Sequence, residues 1–141
     1  MQKPALALHY RHRADSFYRA AQDLEILEAM EHAAAIGLLA VHGCIALADA
    51  LVMAAEGERP RGDDHGQAAR RLRDWCSAKE IDAGGIKHFE WLLGQKSHFS
   101  YDERYVDVQD LLKAKMKMDQ FFKWAFQSFP EVATIEETDH A

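Results

Sequence analysis

AAAIGLLAVHGCIALADALVMAAEGERPRGDDHGQAARRL, residues 33–72, sets the architecture of this chain. Between residues 33 and 55 only His42 and Asp49 interrupt small and aliphatic side chains. A helix that is apolar on nearly every side is the central, buried helix of a bundle. His42 and Asp49 lie about two helical turns apart and therefore share a face. Each is expected to have a partner, because an unsatisfied buried polar group is costly. Gly57 and Pro60 break the helix, Asp63 or Asp64 opens the next one, and His65 falls in its first turn. His65 is expected to pack or bond back onto the end of the second helix, and Asp49 to take either His65 or a backbone amide as its partner.

The apolar run is long enough to cross a bilayer. It is rich in Ala and Gly, it contains Asp49, and Glu28 and Glu31 lie just before it. An Asp near mid-membrane costs about 2.5–3.5 kcal/mol, so a buried core helix is the expected reading, with no membrane. Total length is 141 residues, enough for one domain with a real core. The net charge of -6 argues against a general nucleic-acid binder. Cys44 and Cys76 form neither a zinc pattern nor a disulfide framework, which fits a reducing cytoplasm.

The remaining pattern is helical throughout. A first helix is expected over 16–30, with Phe17, Ala20, Ala21, Leu24 and Leu27 as its stripe. A third starts at Asp64 and buries Ala68, Ala69, Leu72, Trp75 and Cys76. Gly84 and Gly85 precede a short fourth helix carrying Ile86, Phe89, Leu92 and Leu93. Residues 95–105 read as a loop. The last helix spans about 107–129, and Pro130 ends it. The expected fold is all-α: a single-domain, up-and-down antiparallel bundle of about five helices. Its core covers about 15–129, with a flexible arm at 1–13 and an acidic tail at 130–141. Trp124 and Phe126, off the main stripe of the last helix, point to a homodimer.

Three constellations are candidates for chemistry. A di-iron bundle needs Glu-x-x-His on two core helices. The core helices carry none, so neither metal nor cofactor is expected. His42, Asp49 and His65 form an acid–base or plain structural group. The loop QKSHFSYDERY gathers Lys96, His98, Tyr101 and Arg104, a set able to meet a phosphodiester. Arg59, Arg61, Arg70, Arg71 and Arg73 surround the His65 turn, and such runs serve either as phosphate contacts or as solvated helix faces.

The order of an Ala-rich helix with IALADALVMAAEGERPRGDDHGQAARRL, then KSHFSYDERYV, then LLKAKMKMDQFFKWA resembles the HEPN (higher eukaryotes and prokaryotes nucleotide-binding) superfamily. The resemblance spans about 16–129 and rests on helix order with Asp49, Gly57, His65, Lys96, Tyr101 and Arg104. It implies a five-helix, mostly antiparallel, dimerising bundle. Many members are RNA endonucleases, often toxins beside a nucleotidyltransferase antitoxin. Their site is an Arg followed a few residues later by a His, before the last long helices. Here that region offers Lys96-Ser97-His98, with Arg104 after the His. A suitably spaced Arg59–His65 pair lies in the earlier loop.

The resemblance therefore implies a non-catalytic module binding a nucleotide, nucleic acid or protein partner, with Asp49, His65, Lys96, His98, Tyr101 and Arg104 as binding residues. One alternative is a metal-independent RNA endonuclease of toxin–antitoxin type using His98, Arg104, His65 or Arg59. The other is a purely structural homodimer.

Overall fold

Helix α2, Ala33–Glu56, is the axis on which the other helices pack. The computed structural model describes residues 3–28, 30–57, 65–101 and 106–134. Their regular structure is entirely helical: α1 Lys3–Glu28, α2 Ala33–Glu56, α3 His65–Lys79, α4 Ile86–Tyr101, α5 Val108–Ser128 and α6 Pro130–Ala133. Among them α2 alone is long and apolar enough to cross a membrane, and 83% of its most apolar window is buried inside the bundle. It is enclosed because α1, α3, α4, α5 and α6 all contact it. Gly57 ends it at φ 86°, a left-handed backbone that a side chain would strain.

Two extents differ from the sequence expectation. α1 starts at Lys3, not at Ser16, so residues of the expected arm are helical. Ala7, Leu8, Tyr10 and Ala14 are buried there, which supplies tertiary packing for the start of the helix. At the other end of α1 the expected stripe fails, because Leu27 is exposed. α4 runs on to Tyr101, so residues 95–101 form helix where a loop was expected. Phe99, buried two turns beyond Leu92, keeps the apolar register going.

α5 is capped by a reciprocal box. The Asp107 carboxylate accepts from the Asp110 amide at 2.9 Å, and the Asp110 carboxylate accepts from the Asp107 amide at 3.1 Å. Leu111, Ala114, Met118, Phe121, Phe122 and Ala125 form its buried stripe. Beyond Phe129 the chain adds α6, a sixth helix of four residues that buries Val132. Arg11 donates to the Val132 and Ala133 carbonyls at 3.0 and 3.1 Å. Part of the expected acidic tail is therefore built into the fold, while residues 135–141 lie outside the described residues.

Side-chain pairs fix the helix directions. Tyr18 meets Asp119 and Glu25 meets Lys115, so α1 and α5 run in opposite senses. His88 meets Lys117 and His98 meets Asp110, so α4 and α5 do also. Trp124 and Phe126, expected at a partner surface, are packed within the chain. The Trp124 indole donates to the Asp82 carbonyl at 2.7 Å and lies against Phe121 and Phe129. Phe126 sets its ring edge-on to Phe122.

Glycine separates two sites on this framework. A Cβ added to Gly37 would lie 2.3 Å from the buried Phe99 ring, while one added to Gly94 meets nothing within 4 Å. Gly37→Ala should cost about 1–3 kcal/mol through overpacking. Gly94→Ala should stabilise by up to about 1 kcal/mol through helix propensity. Melting temperatures moving in opposite directions would check both; a neutral Gly37→Ala would contradict the α2–α4 packing.

Candidate functional site

Phe99 against Gly37 sets the register of α4 along α2. One turn back from Phe99 stands Lys96, near His42 on α2 and His65 at the start of α3. Their proximity registers in the charge of His42. Burial is the main force holding its pKa below the ordinary histidine value, and the charges of Lys96 and then His65 push it the same way. All three side chains are half-buried, so each retains a wetted edge. The Phe17 ring of α1 lies 6.2 Å from the His42 ring, centroid to centroid. Three helices thus hold two imidazoles and an ammonium within electrostatic reach of one another.

Asp49, on the same face of α2 as His42, is only 7% exposed. No hydrogen bond or ion pair joins it to His65, one of the two partners that the sequence leaves open; its interactions lie elsewhere.

The expected Lys96–His98 constellation is divided. On a helix, residues two apart point about 200° from one another. Lys96 turns toward α2, and His98 turns toward α5. His98 is 8% exposed, with Nε2 3.1 Å from the Asp110 carboxylate. Asp110 therefore caps α5 and anchors α4 at once. Tyr101 is the last residue of α4, but its side chain, Arg104 and Arg59 lie outside the described residues.

The arginine run is partly neutralised. Arg71 pairs with Glu56 and Arg73 with Glu90. Lys113 sits 4.8 Å over the Trp91 ring, and Lys117 approaches His88 at 3.5 Å. Among the described residues no group of His, Cys, Asp and Glu could hold a metal ion. Cys44 and Cys76 are free and buried, and burial raises both thiols above their ordinary value, so neither is an activated nucleophile.

Sequence reasoning missed two residues. His42 was placed with Asp49 and His65, but not with Lys96, because Lys96 was read onto a loop. Asp110 was read only as part of the last helix, although the spacing Asp107-x-x-Asp110 signals a cap.

No family model, no curated protein and no solved structure matches the chain.

Proposed function

We propose that this chain is a non-catalytic, HEPN-like helical-bundle module that binds the phosphate of a nucleotide or RNA at the His42–His65–Lys96 cluster. The reading is supported by two half-buried imidazoles and a half-buried ammonium, from three helices, whose charges act on one another at His42. An anion placed there would satisfy donors that otherwise repel one another. The non-catalytic part of the reading is supported by His98. It is the histidine nearest in position to the one used by nuclease members, yet Asp110 holds it buried at a helix cap. A Lys in place of the family's Arg is also a poorer phosphate clamp.

A second reading draws on the lowered pKa of His42, which favours its unprotonated form. An unprotonated imidazole beside a cation is arranged as a general base. His42 would take the ribose 2′-hydroxyl proton, Lys96 would meet the developing negative charge, and His65 would protonate the leaving 5′-oxygen. In that case the chain is a metal-independent RNA endonuclease, and an antitoxin-like protein is its natural partner.

Binding of inorganic phosphate, AMP and a short single-stranded RNA, followed by NMR titration, checks the first reading. His42→Gln and Lys96→Gln should each weaken phosphate binding by about tenfold. Unchanged binding in both would overturn it. Wild type should leave RNA intact. Cleavage that disappears in His42→Gln or His65→Gln would establish the second reading instead.

We also propose self-association through α5, on Val108, Leu112 and Met116, spaced one turn apart and all exposed. Light scattering should give a dimer, reverting to monomer in Leu112→Glu/Met116→Glu; a wild-type monomer at micromolar concentration would contradict it.

The histidine charges also set a pH dependence. His42 and His88 have lowered pKa values, chiefly through burial. The unfolded chain therefore takes up protons first as pH falls below about 6.5, and their contribution to stability is lost from there downward. Between pH 7.5 and 5.5 the melting temperature should fall, and by less in His42→Gln and His88→Gln than in wild type.

A further inference from the structure

Away from the His42 cluster, α1 and α5 line an open groove of about 460 Å³, to which α6 adds Ala133. Its floor is aromatic. Tyr18 and Phe122 lie 4.7 Å apart, centroid to centroid, and Phe126 stands edge-on to Phe122. Each rim carries an acid followed four residues later by a cation: Asp15 and Arg19 on α1, Asp119 and Lys123 on α5. At that spacing the two residues would ordinarily pair along their own helix. Neither pair forms. Asp15 takes Arg11 at 3.4 Å, and Asp119 accepts from the Tyr18 hydroxyl at 2.7 Å. Arg11 is further committed to the α6 carbonyls. Arg19 and Lys123 line the groove from α1 and α5, with no hydrogen bond or ion pair between either of them and another described residue.

We propose that this groove binds a small aromatic carboxylate, the anion held between Arg19 and Lys123 and the ring laid on Tyr18, Phe122 and Phe126. The volume suits a ligand of one or two fused rings. The Arg19 fork accepts a carboxylate side-on, and Lys123 adds a point charge from the other wall. Burial and the Asp119 carboxylate push the Tyr18 phenol up to about 12, so it remains a donor to Asp119 and a neutral ring to the ligand. That bond engages one oxygen of the Asp119 carboxylate. The site uses none of the residues of the His42 cluster and stands or falls without it.

The test is an amide NMR titration of the whole chain with 2-naphthoate, compared with 2-naphthylmethanol and acetate. Naphthoate should shift the amides of residues 15–23 and 119–126. The neutral alcohol and the ringless anion should each bind at least about tenfold more weakly. Arg19→Gln/Lys123→Gln, both on the surface and without structural partners, should keep the wild-type melting temperature and lose naphthoate binding by about tenfold or more. Naphthoate shifts absent from the groove, equal binding of the alcohol, or full affinity in the double variant would each overturn the assignment. Shifts confined to His42, His65 and Lys96 would also overturn it while supporting the phosphate-binding reading.

Discussion

The constraint on which the structure depends is that α2 has almost no face fit for water. Sixteen of its residues are buried, and the other helices exist in this arrangement because each covers part of it. A cylinder so apolar needs neighbours all round, which dictates a central position and amphipathic companions. The small residues along it let those companions come close, most clearly where Gly37 receives the Phe99 ring. Burial at this density makes the polar side chains in its interior informative. Before the terminal Glu56, only His42 and Asp49 interrupt the small and apolar residues of this helix.

Polar side chains elsewhere do double duty at the seams. Asp110 completes the α5 cap and holds His98 of α4. Arg11 spans Asp15 on its own helix and the end of α6. The pattern is economical: one charged group satisfies a helix terminus and fixes an interhelical position, so backbone groups at the ends are not left bare.

The central helix and the last long helix were legible in the sequence because their signals are local. An unbroken apolar run, a stripe at helical spacing and a proline stop need no tertiary knowledge. The N-terminal half of α1 was not legible in the same way. Beside Leu8 and Tyr10, its seam runs through Ala7 and Ala14 and on to Ala21, small residues that repeat every seven positions among arginines and histidines. Only the presence of α2 beside them makes that faint pattern a buried seam. The end of α4 was misread for a related reason. Polar residues such as Lys96, Ser97 and His98 look like loop until Phe99 is seen to dock on Gly37. That error carried into the site. In a loop Lys96 and His98 can act together, whereas on a helix they face different neighbours. The convergence of Lys96 with His42 and His65 depends on the register between three helices, which no single segment encodes.

The bond from Arg11 to the Val132 and Ala133 carbonyls joins positions 121 and 122 residues apart. Its consequence is one of timing. During synthesis α1 emerges long before α5 and α6, the elements that complete its surroundings, so its groove-facing side chains wait for the rest of the chain. Contacts of such long sequence separation are closed late and slow the search for the native state. The helical pair α1–α2 has a short connection and can assemble early, leaving the far wall to lock into place as the final step. A nascent chain halted before α5 would hold a solvated aromatic seam, the kind of surface that chaperones retain.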